Sequence, residues 1–135
     1  MKILVIDGQG GGLGRQIVAA VKDRYPAAEV LAVGTNSMAT GAMLKAGADQ
    51  AATGENSVKV AARKADVIIG PLGIVIADSM LGEITPAMAL AVGQSRARRI
   101  LIPVNLCDNI VVGTEDVPMA KKVQNAMDVL EKMMP

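Results

Sequence analysis

A cluster of glycines directly after a short apolar stretch constrains this chain more than any other feature. Residues 3–6 read Ile-Leu-Val-Ile, and five of the seven residues at positions 8–14, the glycine loop, are glycine. A continuous apolar run is typical of a central parallel strand covered on both faces. Glycine lets the backbone turn sharply and leaves room for a phosphate, and a helix beginning there offers N–H groups to an anion. The segment predicts a strand, an anion-binding turn and a helix.

Strand-like and helix-like segments alternate along the rest of the chain, which predicts an α/β fold. We expect a single domain over residues 1–135, a Rossmann-like three-layer sandwich with a mostly parallel sheet of order 3-2-1-4-5. Apolar runs predict strands at 2–7, 29–33, 50–53, 66–70 and 100–104, with a short sixth strand at 110–113. Capping and breaking residues predict helices after the glycine loop and at 38–45, 85–95 and 118–132, and a further helix that starts at 54–57 and has Val58, Val60 and Ala61 among its apolar positions.

Composition excludes several classes of function. The chain has no histidine and one cysteine, so histidine-dependent catalysis and a cysteine or histidine metal site are not expected. A net charge of +1 gives no reason to expect nucleic acid as a partner. The arginines at 96, 98 and 99 are interpreted as a solvated cluster after a helix. No apolar stretch approaches the ~20 residues that span a membrane, and a cytoplasmic protein is expected.

Small and polar residues follow several of the predicted strands. In open α/β sheets, ligands bind outside the carboxyl ends of the strands, where the strand order reverses. We therefore predict a small phosphate-bearing ligand at that rim. The predicted binding residues are Asp7, Gly8, Gln9, Gly10, Gly11, Gly12, Leu13, Gly34, Thr35, Asn36, Gly70 and Pro71.

The spacing of the glycines indicates which known type of cofactor loop this segment resembles. The dinucleotide pattern G-x-G-x-x-G is not met, but Gly8-x-x-x-Gly12-x-Gly14 is present. Residues 3–36 thereby resemble the cofactor loop of the short-chain dehydrogenases/reductases. The leading threonine of that family is replaced by Asp7, and its Tyr-x-x-x-Lys pair has no counterpart at Tyr25. The resemblance implies a binding loop without that family's oxidoreduction.

The ligand class follows from what surrounds the loop. A dinucleotide site usually has an acidic residue at the end of the second strand for a ribose hydroxyl, but here that end reads Gly34-Thr35-Asn36. The Gly-Lys-Ser/Thr of a nucleotide-hydrolysing P-loop is also absent. NAD(P) or another nucleotide remains the expected cofactor, bound without that NAD signature.

Catalytic residues are not identified by the sequence, although several side chains near the rim carry reactive groups. Asp78 or Ser79 is interpreted as a helix cap, and Thr85 with Pro86 as a helix start. The Cys107 thiol, in a loop after strand five, is expected to be inert because no histidine activates it. The candidates for acid, base or nucleophile are Asp7, Asp78, Ser79, Glu83, Asn105 and Cys107.

The last predicted helix carries an apolar stripe at heptad-like spacing. Such a stripe packs on the protein's own sheet, or it forms the seam of a homodimer. Changing Leu130 and Met133 to Glu would distinguish these uses, through loss of the fold or loss of the dimer. The stripe consists of Met119, Val123, Ala126, Leu130 and Met133.

A set of short motifs spread over most of the chain resembles a short bacterial family, a domain of unknown function. The resemblance implies a cytosolic bacterial protein and brings no activity or catalytic residue with it. The motifs are Ile6 to Gly12, Gly34-Thr35-Asn36, Gly47-Ala48-Asp49, Thr53 to Asn56, Gly70-Pro71, Ser79 to Glu83 and Thr85-Pro86.

Three functions remain open at this point. The first is a nucleotide-binding or phosphate-ligand-binding module, supported by the glycine loop. The second is a small enzyme acting on a phosphorylated metabolite, with Asp7, Asp78 or Glu83 as acid or base. The third is a structural or assembly subunit with an empty loop, favoured by a 51% hydrophobic composition and nine methionines.

Overall fold

A computed structural model of the chain describes residues 1–104 and 106–135. Strands and helices alternate from one end to the other. The strands are β1 (Lys2–Asp7), β2 (Glu29–Gly34), β3 (Gln50–Thr53), β4 (Val67–Pro71) and β5 (Arg98–Ile102). The helices are α1 (Gly12–Arg24), α2 (Ser37–Lys45), α3 (Glu55–Lys64), α4 (Pro86–Gln94) and α5 (Met119–Glu131).

The five strands form one parallel sheet with the order β3-β2-β1-β4-β5, which confirms the predicted fold class and strand order. β1 lies at the centre, and its apolar side chains are buried on both faces of the sheet. Alternate residues contribute to two cores, Ile3 and Val5 to one and Leu4 and Ile6 to the other. This two-sided burial explains why β1 reads as an unbroken apolar run.

Helices cover both faces. Side chains of α1, α2 and α5 pack in the first core, and those of α3 and α4 pack in the second. In α5, Leu130 is fully buried in the first core. The stripe of α5 therefore packs on the protein's own sheet, and Leu130 is not available for a dimer seam. Met119, at the start of the stripe, remains 39% exposed.

Three local predictions need correction. Residues 110–113 form no strand: they run through an extended loop and a turn. β5 begins two residues earlier than expected and includes Arg98 and Arg99, so these cations are not at a helix end. Neither Asp78 nor Ser79 caps a helix, because Thr85 caps α4 by accepting a hydrogen bond from the Met88 N–H.

Candidate functional site

The glycine loop connects the end of β1 to α1. The Asp7 side chain is hydrogen-bonded to both ends of this loop. Asp7 is only 2% exposed, and its two carboxylate oxygens accept hydrogen bonds from the backbone N–H groups of Gly8 (2.8 Å) and Gly14 (2.7 Å). Burial raises the pKa of Asp7, the two hydrogen bonds oppose that rise, and the charge of Glu83 adds to it. Both oxygens are engaged beneath the loop, which makes Asp7 a structural support of the turn.

Close packing explains two of the glycines. A Cβ on Gly14 would lie 2.6 Å from Sδ of Met43 and 2.7 Å from Cβ of Asp7, so glycine is required where α1 crosses the end of β1. Gly11 has a φ of +73°, and a Cβ there would lie 2.8 Å from Cα of Ala39. These two glycines shape the turn and allow α2 to approach it.

Gly8 is also closely packed, because a Cβ there would lie 2.7 Å from Oγ1 of Thr35. The remaining two glycines of the loop, Gly10 before α1 and Gly12 at its start, face open space. A Cβ on Gly10 or Gly12 would meet no atom within 4 Å. Within residues 1–104 and 106–135, the backbone N–H groups of Gly10, Gly12 and Leu13 donate no hydrogen bond. These donors lie at the positive end of the α1 dipole, an arrangement that suits an anion.

A carboxylate from a distant segment is bonded to Gln9, the residue that precedes these donors. Oε1 of Glu83 accepts hydrogen bonds from the Gln9 N–H (2.9 Å), the Thr35 hydroxyl (2.6 Å) and the Asn36 amide (2.7 Å). Partial burial acts to raise the pKa of Glu83, but the hydrogen bonds from Thr35, Gln9 and Asn36 together lower it. The Glu83 side chain is therefore an anion at neutral pH.

The Asn36 side chain is hydrogen-bonded to the glycine loop, to Glu83 and to the start of α2. Its Oδ1 caps α2 by accepting from the Ala39 N–H at 2.9 Å, and its Nδ2 donates to the Gln9 carbonyl at 2.9 Å as well as to Glu83. The Thr35 N–H also donates to the Asp7 carbonyl at 3.0 Å. The end of β2 is thus tied both to the glycine loop and to Glu83.

The segment that carries Glu83 has an unusual backbone. Asp78, Met80 and Leu81 have positive φ values of 66°, 55° and 57°, a region that L-residues seldom adopt. Ser79 is buried, and its hydroxyl donates to the Gly73 carbonyl. The Met80 N–H donates to Sγ of Cys107 at 3.4 Å. These contacts hold the segment over the rim and direct Glu83 toward the glycine loop.

The structure brings together most of the predicted binding residues. Gly8 to Leu13 and Gly34 to Asn36 meet at the carboxyl end of β1 and β2. Gly70 and Pro71 are buried at the end of β4, and a Cβ on Gly70 would lie 2.5 Å from the Ile6 carbonyl oxygen. Their contact with a ligand stays a prediction, while their packing role is evident.

The candidate reactive groups are more dispersed. Asp78 and Cys107 are exposed, and Ser79 is engaged within its own turn. Asn105 lies outside the described residues. Among the described candidates, Asp7 is bonded to the N–H groups of Gly8 and Gly14, and Glu83 is bonded to the Gln9 N–H. In the sequence, the one signal for Glu83 is a carboxylate in a long polar connection. Of the described helices, none has the length and apolar character needed to cross a membrane.

A separate cavity of about 370 Å³ lies between α3 and the strands β1 to β3, away from the glycine loop. Its lining is largely apolar, with Leu4, Leu31, Val33 and Ala52 among the residues that face it. Its lining includes no residue of the glycine loop and neither Thr35, Asn36 nor Glu83, so the candidate site is the open rim of the glycine loop.

Similarity to the solved structure of AibC supports the fold. No curated protein matched the sequence. The chain is similar to the solved structure of AibC, with 18% identity, a TM-score of 0.54, and 98% of this chain but 46% of that chain covered. It is also similar to a dodecameric FMN-dependent Ubix-like decarboxylase from Escherichia coli O157:H7, with 16% identity, a TM-score of 0.47, and 97% and 76% covered. A family model described as "Domain of unknown function (DUF3842)" matches residues 2–135, and the chain belongs to this family.

Proposed function

We propose that this chain binds a small ligand carrying a phosphate and a hydroxyl group, a nucleotide such as NAD, at the rim of the glycine loop. The observation that carries the proposal is the pairing of two complementary features. In the described part of the chain, the N–H groups of Gly10, Gly12 and Leu13 at the start of α1 have no acceptor, and the ionised Glu83 carboxylate binds the N–H of the preceding residue, Gln9.

The first feature is a phosphate subsite. Because Asp7 already satisfies the N–H groups of Gly8 and Gly14 from below, the donors that remain all belong to the upper side of the loop. The absence of side chains at Gly10 and Gly12 lets phosphate oxygens approach the backbone. The N–H donors and the positive end of the helix dipole then both attract the anion.

The second feature is a hydroxyl subsite. A carboxylate accepts hydrogen bonds only, and among the described residues Glu83 uses Oε1 for all three of its bonds. Its Oε2 is left for a ligand hydroxyl. In dinucleotide-binding folds an acidic side chain at the end of the second strand accepts from the ribose, and Glu83 reaches that place from the segment after β4.

The charge of Glu83 also determines which ligand is preferred. A ribose hydroxyl gains a hydrogen bond from the carboxylate, whereas a phosphate on the same ribose would meet a like charge. We therefore expect NAD to bind better than NADP. The proposal includes no catalytic role, because Asp7 is engaged through both carboxylate oxygens and Asp78 is exposed to solvent.

The test begins with native mass spectrometry of the freshly purified chain, compared with its denatured mass, to detect a co-purified ligand. Thermal shift assays with NAD, NADP, FAD, ATP and sugar phosphates follow. A nucleotide adduct, or a rise in Tm with NAD that exceeds the rise with NADP, supports the proposal. The absence of an adduct together with no shift for any of these compounds contradicts it.

A further inference from the structure

A groove between α3 and α4 has apolar walls although it faces solvent. We name it the α3–α4 groove; it has a volume of about 470 Å³. On the α4 side it is lined by Ala87, Leu90 and Ala91, and Leu90 is 58% exposed. α4 is apolar on nearly every side, a pattern that belongs to helices covered all round. The outer face of α4 therefore resembles a surface that a partner covers.

The rim of the α3–α4 groove is positively charged. Lys59 and Arg63 from α3 and Arg96 beyond α4 are exposed and line it, and the lining residues include no carboxylate. None of the three cations forms a salt bridge within residues 1–104 and 106–135. A partner for this groove should offer apolar side chains followed by negative charge.

The chain itself carries a segment of that chemistry. The segment at residues 110–116, which we name the 110–116 loop, exposes Ile110 (91%) and Val112 (89%). Glu115 and Asp116 follow, are exposed, and form no salt bridge in the described part of the chain. A contiguous patch of exposed apolar surface marks an interaction site, and Ile110 and Val112 lie two residues apart in this loop.

From this match we infer that the chain associates with a second copy of itself, the 110–116 loop of one copy seated in the α3–α4 groove of the other. Ile110 and Val112 would pack against Leu90 and its alanine neighbours, and Glu115 and Asp116 would face Lys59 and Arg63. Electrostatic complementarity of this kind fixes orientation and excludes wrong partners. The inference stands apart from the nucleotide proposal, because neither surface includes a residue of the glycine loop.

The test uses sedimentation velocity on the full chain with two charge-reversed variants. The groove variant is Lys59→Glu with Arg63→Glu, and the loop variant is Glu115→Lys with Asp116→Lys. The wild type is expected to associate, and each variant alone should lose association at least roughly tenfold, because like charges then face each other. An equimolar mixture of the two variants should regain it, since each groove then meets a loop of opposite charge.

A matched control is Lys2→Glu with Lys64→Glu, which changes the net charge as much as the groove variant does but lies along the separate cavity beside β1. This control should associate as the wild type does. A monomeric wild type, variants that associate unchanged, or a mixture of correctly folded variants that stays monomeric would each overturn the inference. Circular dichroism of every variant verifies folding.

Discussion

The hydroxyl of Thr35 donates a hydrogen bond of 2.6 Å to the carboxylate of Glu83, across 48 residues of sequence. This bond places a negative charge at the end of β2, where the local sequence Gly34-Thr35-Asn36 has none. The same carboxylate accepts from the Gln9 N–H in the glycine loop. An acidic side chain, which the local sequence lacks at the end of this strand, is thus supplied there by another part of the chain.

Replacing the charge of Glu83 tests its part in binding. Glu83→Gln keeps the side-chain length and one acceptor oxygen but removes the negative charge. We expect NAD affinity to fall about tenfold, the loss of one charge-assisted hydrogen bond, while NADP affinity rises or stays constant. Isothermal titration of both nucleotides measures the ratio. An increase in NAD affinity would instead show that Glu83 obstructs the phosphate subsite.

The same residue predicts a pH dependence of stability. Because hydrogen bonds lower the pKa of Glu83 below its ordinary value of 4.5, the ionised group stabilises the fold above that pH, and the contribution is lost as pH falls through the folded-state pKa. Wild type should therefore exceed Glu83→Gln in unfolding free energy at neutral pH, and the difference should shrink below pH 4.5. Urea denaturation at several pH values checks this, and a constant difference would contradict it.

Asp7 is expected to matter for stability. Asp7→Asn supplies one acceptor oxygen where the loop presents two N–H donors, so the N–H of Gly8 or Gly14 would face an NH₂ group. An unsatisfied buried donor costs about 1–3 kcal/mol of unfolding free energy. Urea denaturation measures the loss. A variant as stable as wild type would contradict this expectation, because the second acceptor oxygen of Asp7 would then add nothing to stability.

Leu130 distinguishes core packing from a dimer seam on α5. It is fully buried in the core of the α1, α2 and α5 face, so Leu130→Ala should lower the unfolding free energy by about 2–5 kcal/mol. Denaturant unfolding measures this, with the half-exposed Val129→Ala on the same helix as the control. Loss of association without loss of stability would favour the seam instead.

The sequence allowed most of the fold to be predicted, and the physical reason lies in the strands. β1 and β4 are buried on both faces, and their continuous apolar runs are unmistakable. The apolar pattern predicts the start of β5 two residues too late, because β5 lies at the edge of the sheet and begins with the exposed Arg98 and Arg99. The apolar residues at 110–113 predicted a strand, but in the structure they remain in an exposed loop.

The site was only partly predictable. The glycine loop follows from local chemistry, since glycine and a buried strand suffice to indicate a tight turn. The position of Glu83 depends on the path of residues 76–84, where Asp78, Met80 and Leu81 adopt positive φ values that their side chains disfavour. No local sequence pattern predicts this backbone path. The contact between Glu83 and Thr35 is therefore known only from the structure.

The most direct test of nucleotide binding is isothermal titration of NAD into Gly12→Ala, with Gly93→Ala in α4 as the control. Both glycines lie in helices, and an added Cβ meets no atom within 4 Å at either position, so both variants should fold. We predict that Gly12→Ala weakens NAD binding at least about tenfold, because its methyl group enters the phosphate subsite, and that Gly93→Ala binds as wild type does. Equal affinity in all three proteins, or a wild type that does not bind NAD, would contradict the account.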